Sequence, residues 1–220
     1  MIFVFCGMAA SGKDTTVKAL CGRMSPNGKN FVEKIRNVTT RPMRPTEDGS
    51  EYMFVDRKGF GELLDDGNLK FVRDYSTEQG HWSYGAYFVN QKGKNIVPTD
   101  EETTYAIILD PAGAAKLKND WPEDVCIIML MADTELRRER YLSRTNRTPK
   151  DFDEWHRRLT ADNEDFVLSN FISDYVDYTI KVEKDTDVNN VVDGALNIIL
   201  TEEWHRMNEK YGDESNDTAD

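Results

Sequence analysis

A glycine-rich stretch near the start of the chain has the residue types and spacing of a loop that binds phosphate groups. Gly7 and Gly12 stand five residues apart, and Lys13 follows the second glycine. Glycines allow a tight loop whose backbone N–H groups point inward, and a helix that begins there adds its positive N-terminal end. A lysine at this position reaches the β- and γ-phosphates of a nucleotide. The residues predicted to bind ATP in this segment are Gly7, Ala9, Ala10, Ser11, Gly12, Lys13, Asp14 and Thr15.

The residue after the lysine departs from the usual pattern of such loops. Ser or Thr ordinarily stands there and ligates Mg²⁺, whereas this chain has Asp14, followed by Thr15. Either Asp14 helps to hold the metal, directly or through water, or Thr15 contacts phosphate and Mg²⁺ stays mainly on the nucleotide. The sequence leaves both alternatives open, with Asp14 as the candidate metal ligand and ATP and Mg²⁺ as the expected cofactors.

Two other segments concentrate positive charge. Residues 39–45 place Arg41 and Arg44 three residues apart, each followed by a proline or close to one. Proline fixes φ and lowers the entropy that a loop loses on binding, and a guanidinium group offers paired donors that suit phosphate. Residues 137–158 hold 8 Lys and Arg against 4 acids. Both segments are therefore candidate binding sites for anions.

The distribution of charge along the chain limits the classes of molecule that the protein could bind. The chain has 28 Lys and Arg against 40 Asp and Glu, a formal net charge of −12. Residues 161–220 contain 4 basic and 16 acidic side chains and carry the whole excess, so residues 1–160 are neutral overall. A surplus of acid argues against a nucleic-acid-binding protein. The sequence therefore predicts small-molecule nucleotide substrates as partners and no nucleic acid.

Membrane and secreted proteins are disfavoured by the apolar runs. No run approaches the ~20 residues that span a bilayer, and the start of the chain lacks a basic region followed by a long apolar stretch. Cys6, Cys21 and Cys126 are widely spaced and form no C-x-x-C pair, which is typical of buried reduced thiols. We expect a cytoplasmic protein with no membrane partner.

The candidate residues depend on elements that bring distant segments together. Continuous apolar runs are typical of parallel strands covered by helices on both faces. These runs are Ile2–Cys6, Tyr105–Leu109, Val125–Met131 and Asp177–Val182. Segments of helix length lie at about 12–24, 111–119, 133–143, 150–169 and 187–200. The alternation predicts an α/β fold with a central parallel sheet.

Residues 31–90 have a different character. Partly alternating, strand-like segments occur at Phe31–Val38, Glu51–Val55, Leu69–Tyr75 and Ala86–Asn90, with one short helix near Arg57–Leu64. They predict a mostly antiparallel insertion of about residues 31–90 on a core of residues 1–30 and 103–200. Residues 91–104 give no clear signal. We expect residues 201–220 to be an acidic helix end followed by a disordered tail at 212–220.

Several motifs together resemble the guanylate kinases. Residues 39–45, then Asp48-Gly49 and Glu51–Val55, are similar to the acceptor-binding region of that family. Tyr84-Gly85 resembles the dipeptide that closes this region, and Asp110 followed by Gly113 resembles the family's I-D-x-x-G strand end. The resemblance covers about residues 1–200. It implies a P-loop NTPase three-layer fold with an acceptor-binding insertion and a helical lid of about residues 137–158.

The resemblance also implies roles for individual residues. The monophosphate of the acceptor would be held by Arg41, Arg44, Tyr52 and Tyr84. Arg147 and Arg158, eleven residues apart, match two arginines that close over the transferred phosphoryl group, with Arg140 and Arg144 on the ATP side. The catalytic residues that follow are Lys13, Arg41, Arg147 and Arg158.

The positions that contact the base depart from the family pattern. The family has Ser, Glu and Ser or Thr where this chain has Asn37, Phe71 and Ala86, while Asp110 remains as an acceptor for the amine of guanine. These four residues complete the predicted acceptor site. Because a site that hydrogen-bonds its ligand discriminates by roughly 10⁴-fold, the altered contacts leave the base specificity open.

Three functions are consistent with the sequence. The preferred one is transfer of phosphate from ATP to GMP or dGMP by direct in-line attack, in a monomer or homodimer, with broader deoxynucleotide specificity as a variant. A ribose 1,5-bisphosphate phosphokinase would suit Asp14 and the altered base positions. A non-catalytic guanylate-kinase-like interaction module is disfavoured by the intact loop Gly7–Lys13.

Overall fold

The computed structural model describes residues 1–25, 28–45, 47–77, 80–99 and 103–211. The tail 212–220, for which we expect disorder, lies outside these residues, as do residues 100–102. The described residues form nine strands: β1 Ile2–Cys6, β2 Glu33–Lys34, β3 Arg36–Thr39, β4 Tyr52–Phe54, β5 Leu69–Thr77, β6 Gly80–Tyr87, β7 Tyr105–Ile108, β8 Val125–Met131 and β9 Tyr178–Lys181. They also form seven α-helices: α1 Lys13–Cys21, α2 Arg57–Asp65, α3 Pro111–Asp120, α4 Thr134–Leu142, α5 Pro149–Asp162, α6 Phe171–Tyr175 and α7 Val188–Tyr211.

Five strands of the described residues form a central parallel sheet in the order β2-β7-β1-β8-β9. Successive side chains of a strand point to opposite faces. In β1, Ile2, Val4 and Cys6 pack in the cluster that contains α3 and α6, whereas Phe3 and Phe5 pack in the cluster that contains α1 and α7. Helices therefore cover both faces, which gives the three-layer α/β core that the apolar runs predict.

A second sheet, of order β4-β3-β6-β5, carries α2 on one face. Strands β3 and β4 are parallel, while β3–β6 and β5–β6 are antiparallel. Val38 and Leu69 of this sheet form a small core with Phe60 of α2. The sheet is the mostly antiparallel insertion predicted for residues 31–90. Its opposite face meets the end of β7, where the Tyr75 hydroxyl donates to Asp110 at 3.0 Å.

Two predicted strands of the insertion are wrong in their bounds. The stretch Phe31–Val38 is two strands, because β2 joins the central sheet and β3 belongs to the second. The chain crosses between the sheets at Ile35, which is fully buried. The strand predicted at Ala86–Asn90 lies instead at Gly80–Tyr87, in a hairpin with β5. Gly80 and Gly85 give this strand the composition of a turn.

The predicted helices near 12–24, 57–64, 111–119 and 133–143 are confirmed as α1, α2, α3 and α4. The helix predicted at 150–169 is α5 only as far as Asp162, and a π-helical segment continues it over Asn163–Leu168. The helix predicted at 187–200 extends to Tyr211. Among the described residues, no helix has both the length and the apolar content needed to cross a bilayer.

Candidate active site

The phosphate loop joins the end of β1 to the start of α1, as the sequence predicts. Ala10 and Gly12 have φ of 62° and 102°, in the left-handed region, so the chain turns sharply and the Ser11 N–H donates to a carbonyl of the same loop at 3.1 Å. A Cβ added to Gly7 would lie 2.5 Å from Ser11 Oγ. The loop is therefore closed and compact, and Lys13 stands at the first position of α1.

Two polar side chains of this loop are weakly held by the rest of the protein. The Lys13 Nζ donates to the Met8 carbonyl at 3.5 Å, which is long for a hydrogen bond. Ser11 Oγ is buried, and no described residue offers it a hydrogen-bond partner. A buried polar group without a partner costs about 1–3 kcal/mol. A phosphate oxygen that bonded to these donors would relieve that cost.

A carboxylate at the end of α5 fastens the loop from outside. Asp162 Oδ2 accepts from the Ala9 N–H at 2.9 Å and from Arg137 Nη1 at 2.8 Å. The Arg137 side chain is 3% exposed, and its guanidinium carbon lies 5.7 Å from the centre of the Trp155 ring. Burial raises the pKa of Asp162, although the Ala9 N–H and Arg137 both oppose the rise. The loop, α4 and α5 therefore meet at one buried ion pair.

Arg140 reaches the same loop from α4. Its Nη1 donates to the Ser11 carbonyl at 3.3 Å, while Arg144 is exposed one turn further along. Burial lowers the pKa of Arg140, and the charge of Arg144 lowers it further. Because the two cations disfavour each other, an anion between them would be stabilised. This arrangement agrees with a position on the ATP side of the site for both residues.

The two arginines predicted to close over the phosphoryl group have different surroundings. Arg158 lies on α5, donates to Glu154 at 2.8 Å and stands over the Tyr141 ring at 5.5 Å. Glu154 is almost fully buried and also accepts from Arg157. Arg147 is exposed between α4 and α5, with a φ of 56°. Helix α5 thus fixes Arg158, and Arg147 occupies a turn at the surface.

On the second sheet, Arg41 is held by a carboxylate that the sequence did not reveal. Its Nη1 and Nη2 donate to the two oxygens of Glu47 at 3.0 and 2.7 Å. The guanidinium carbon lies 5.7 Å from the Tyr52 ring and 5.4 Å from the Phe54 ring. Burial disfavours the charge, but the hydrogen bonds and charge of Glu47 prevail and raise the pKa of Arg41. The guanidinium is therefore fixed in orientation.

Arg44 has mostly positive neighbours. Its nearest ion-pair contact is with Glu47, at the long distance of 3.8 Å. Partial burial lowers the pKa of Arg44, and the charges of Arg41 and Arg158 lower it further, against the opposing effect of Glu47 and Tyr84. A cation among cations gains from a bound anion. Arg41 and Arg44, in the loop after β3, and Arg158 of α5 therefore form one candidate anion site.

A row of tyrosines leads from Arg41 along the face of the second sheet that is turned away from α2. The Tyr52 and Tyr84 rings are 6.0 Å apart, and Tyr84 and Tyr75 are 5.4 Å apart, both pairs edge to face. Strand pairing determines which face the row occupies. Tyr84 of β6 is opposite Thr39 of β3, and directly paired side chains lie on the same face of the sheet. The row ends where the Tyr75 hydroxyl bonds to Asp110.

Asp110 is the point at which the two sheets meet. Its Oδ1 accepts from the Gly113 N–H at 2.8 Å and so caps α3, which holds the side chain at the end of β7. Its Oδ2 accepts from the Tyr75 hydroxyl and lies 3.1 Å from Arg73 Nη1. Arg73 also lies 3.4 Å from Asp165, in the π-helical segment. The carboxylate is thus fixed by contacts with α3 and β5.

The charge of Asp14 acts on residues of the acceptor side of the candidate site. Burial, and then the charge of Asp14, raise the pKa of Tyr52 on β4, and Asp14 also acts on Lys34. Thr15, the alternative ligand, is exposed. Within the described residues no three His, Cys, Asp or Glu side chains come together as metal ligands. A single carboxylate suits Mg²⁺, which usually binds one or two carboxylates together with phosphate oxygens and water.

Comparison with known proteins decides the family. A guanylate kinase of Mycobacterium sp. (strain MCS) is 31% identical over 176 residues, which cover 77% of this chain and 80% of that protein. The chain belongs to the guanylate kinase family. It is accordingly an enzyme, a nucleoside monophosphate kinase of that family.

Other guanylate kinases are similar over much of their length. The guanylate kinase of Symbiobacterium thermophilum is 26% identical over 179 residues, covering 80% of this chain and 76% of that protein. The crystal structure of guanylate kinase from Anaplasma phagocytophilum shares the fold, with a TM-score of 0.57, 24% identity and coverage of 92% of this chain and 86% of that one. No family model matches the chain.

The three residues at the positions where guanylate kinases contact the base differ in their surroundings and burial. Asn37 lies on the tyrosine face, and its side-chain amide donates to the Ile108 carbonyl at 2.9 Å. Ala86 is opposite Asn37 and fully buried. Phe71 packs against the cluster around α3, with its ring 5.6 Å from Phe88. Phe71 is only partly buried, and its contact with the acceptor stays a prediction.

Sequence reasoning missed four residues that the structure brings to the candidate site: Glu47, Arg73, Tyr75 and Asp162. Glu47 is visible in the sequence as an acid three residues after Arg44, within a basic segment. Asp162 follows the lid arginines on the same helix, one turn after Arg158. Arg73 and Tyr75 gave no local signal, since their face depends on the pairing of β5 with β6.

Proposed function

We propose that this kinase transfers the γ-phosphoryl group of ATP directly to GMP or dGMP, giving GDP or dGDP. One observation carries the proposal: the phosphate loop and Asp110 follow β1 and β7, which are parallel neighbours. Both segments therefore lie at the carboxyl edge of the sheet, where α/β proteins bind ligands. Tyr75 of the second sheet bonds to Asp110 across this edge. The arrangement supports a donor on the loop and an acceptor on the tyrosine face.

On the donor side, the loop amides and Lys13 hold the phosphates of ATP. Lys13, at the start of α1, adds its charge to the positive end of that helix. Arg140 stabilises the triphosphate from α4, and Arg144 and Arg147 reach it when the lid closes. Arg158 contributes the charge that offsets the negative charge developing on the transferred group. Catalysis then rests on positioning and charge, without a covalent intermediate.

On the acceptor side, Arg41 and Arg44 hold the monophosphate, with the hydroxyls of Tyr52 and Tyr84 as further donors. The fixed orientation of Arg41 against Glu47 supports this role, because little freedom is lost when it binds phosphate. Asp110 accepts from the donors of the base at the far end of the tyrosine row. Asn37 and Ala86 line the same face.

We infer that Asp14 takes part in holding Mg²⁺, which when bound neutralises charge on the phosphates. Its carboxylate is half-buried and acts electrostatically on Tyr52, at the border of the two proposed subsites. Asp14→Asn should raise the Mg²⁺ concentration needed for half-maximal activity. Asp133→Asn, at the N-cap of α4, is a matched control that lies outside the proposed metal site. An unchanged Mg²⁺ requirement in Asp14→Asn would favour Thr15 as the contact.

The test of the proposed function offers ATP and Mg²⁺ with a panel of acceptors and measures ADP formation. The panel is GMP, dGMP, AMP, UMP, dTMP, dCMP and ribose 1,5-bisphosphate. We expect turnover with GMP and dGMP far above the others. Comparable rates with several deoxynucleotides would indicate a broad kinase, and turnover with the ribose compound alone a phosphokinase of that sugar.

The same assay needs a variant that reports contaminating kinases. Lys13→Ala serves this purpose, and Lys116→Ala, on the exposed face of α3, controls for loss of a lysine as such. Nucleotide binding without any turnover would contradict the proposal and indicate a non-catalytic interaction module. The oligomeric state and the cytoplasmic location stay predictions.

A further inference from the structure

Strand β5 contains a bulge that changes which side chains face the acceptor. Lys70 is opposite Ala86, but the next pair along the ladder joins Arg73 to Tyr84. Three steps on β5 thus match two steps on β6, so one residue is extra. Phe71, inside the irregular segment, has a φ of 54°, which is uncommon for a residue other than glycine. Bulges of this kind re-aim side chains near active sites.

Without the extra residue, the alternation of the strand would put Val72 opposite Tyr84 and Arg73 on the face that packs against α2. With it, Arg73 and Tyr75 both join the tyrosine face, opposite Tyr84 and Trp82. The guanidinium carbon of Arg73 lies 5.2 Å from the Tyr75 ring. The bulge therefore brings a cation to the end of the tyrosine row that is farthest from Arg41.

The contacts of Arg73 leave part of its guanidinium unsatisfied. Nη1 lies 3.1 Å from Asp110 Oδ2, yet this ion pair is not aligned as a hydrogen bond, and the buried Nη1 has no hydrogen-bond partner among the described residues. The contact of Nη2 with Asp165 is also long, at 3.4 Å. A buried N–H donor without an acceptor is a costly arrangement, which a ligand acceptor would relieve.

The Asp110 carboxylate has acceptor sites that no hydrogen bond within the described residues uses. A carboxylate offers about four acceptor sites, of which the Gly113 N–H takes one on Oδ1 and the Tyr75 hydroxyl takes one on Oδ2. The remaining acceptor sites lie beside Arg73 Nη1, which is 3.1 Å from Oδ2 without forming an aligned hydrogen bond. Guanine presents the matching edge: its N1–H and 2-amino group are donors, and its O6 and N7 are acceptors that an arginine recognises well.

We propose that Arg73 determines base specificity by donating to O6 of the acceptor base, while Asp110 accepts from N1–H and the 2-amino group. This inference rests on the proposed function and explains how guanine is recognised although the family's Ser, Glu and Ser or Thr are replaced by Asn37, Phe71 and Ala86. A base with an amino group at position 6 would place a donor against Arg73. Adenine nucleotides are therefore excluded by an unpaired donor rather than by size.

The experiment compares three nucleotides that differ by single groups. 6-Thio-GMP replaces O6 with sulfur, a weaker acceptor, and IMP lacks only the 2-amino group. The kcat/KM of each is measured for the unmodified chain, Arg73→Met and Arg73→Lys. We expect Arg73→Met to lower kcat/KM for GMP by about 10- to 100-fold, to reduce the preference for GMP over 6-thio-GMP and to leave the preference for GMP over IMP unchanged.

A structural role for Arg73 predicts a different pattern. If the arginine only held Asp110 in place, its loss would lower kcat/KM for all three nucleotides alike, or would reduce the preference for GMP over IMP. Either result overturns the proposal. Arg73→Lys keeps a positive charge with a smaller set of donors, so it should retain the fold and part of the preference for GMP over 6-thio-GMP. Arg36→Met, at an exposed position of β3, is the matched control and should behave as the unmodified chain.

The outcome also separates this inference from the proposed function. Absence of turnover with GMP in the unmodified chain would contradict both the proposed function and the role of Arg73. Normal turnover with GMP, together with an unchanged GMP to 6-thio-GMP ratio in both Arg73 variants, would remove only the role of Arg73. Thermal unfolding of each variant, compared with that of Arg36→Met, shows whether a lost activity reflects a lost fold.

Discussion

The proposed donor and acceptor regions are built in different ways. The donor region is a short continuous loop whose conformation is fixed by Ala10 and Gly12 and fastened by Asp162. The acceptor region is a sheet face assembled from four strands, with cations held by Glu47 and Asp110 and separated by tyrosine rings. A loop recognises phosphate through the backbone, whereas a sheet face recognises a whole nucleotide through side chains spaced by strand register.

The largest effect should come from the donor loop. Lys13→Ala removes the cation that reaches the transferred phosphoryl group, and we expect kcat to fall by about 10²–10³-fold or more. The melting temperature should stay nearly unchanged, because Lys13 makes only a long contact within the loop. Steady-state kinetics and thermal unfolding measure both. A normal rate would contradict the assignment of the loop as the donor site.

The next largest effect should be on stability, at the point where the loop joins α5. Asp162→Ala leaves Arg137 buried without its partner, and breaking a buried pair in this way costs about 3–5 kcal/mol. Asp162→Asn keeps an acceptor for the Ala9 N–H and should lose less. Chemical denaturation measures the difference. Equal stability of the two variants would mean that Asp162 holds the loop through its charge alone and that a neutral acceptor for the Ala9 N–H contributes nothing.

Replacing Arg41 should affect the acceptor alone. We expect Arg41→Ala to lower kcat/KM for the acceptor by about 10- to 100-fold, since a charge-assisted contact contributes about 1.5–3 kcal/mol, and to leave the KM for ATP unchanged. Removal of Arg41 also leaves the Glu47 carboxylate without its ion-pair partner. The double variant Arg41→Ala/Glu47→Gln therefore separates the loss of acceptor binding from the loss of stability. Equal changes in both substrates would contradict the separation of the two regions.

The smallest effect should come from one hydroxyl of the tyrosine row. Tyr84→Phe keeps the ring packed between Tyr52 and Tyr75 but removes a donor to the acceptor phosphate. An uncharged hydroxyl that donates to a phosphate already bound by two arginines should contribute less than a guanidinium, about 0.5–1.5 kcal/mol, so the acceptor KM should rise by about 2- to 10-fold at constant stability. An unchanged KM would leave only packing as the role of Tyr84.

The same contrast explains what could be predicted from the sequence. The core strands and the phosphate loop are local patterns, since β1 and the seven residues after it carry the signal in one continuous segment. Arg41, Tyr52 and Tyr84 were predicted because a resemblance marked them. Composition alone could not reveal that Phe31–Val38 divides between two sheets, because both halves are equally apolar and strand-like.

The residues on the acceptor face are harder to predict from the sequence, because they depend on the register in which β5 pairs with β6. The resemblance puts Phe71 at a base-contacting position, whereas the extra residue in the ladder places Arg73, rather than Val72, opposite Tyr84. The partner of Arg41 was missed for a related reason: Glu47 lies in a loop whose path brings it back to the arginine. Sequence reasoning fails here because the deciding contacts are made across strands and loops.

The bulge in β5 has a consequence for how such enzymes diverge. In a regular strand, a new residue facing the base requires a substitution at that position. Here the number of residues in the strand decides, because removal of one residue near Phe71 would restore regular alternation and put Val72 in place of Arg73 opposite Tyr84, without any substitution. Under the proposed role of Arg73, a single deletion would therefore remove the arginine that contacts the base.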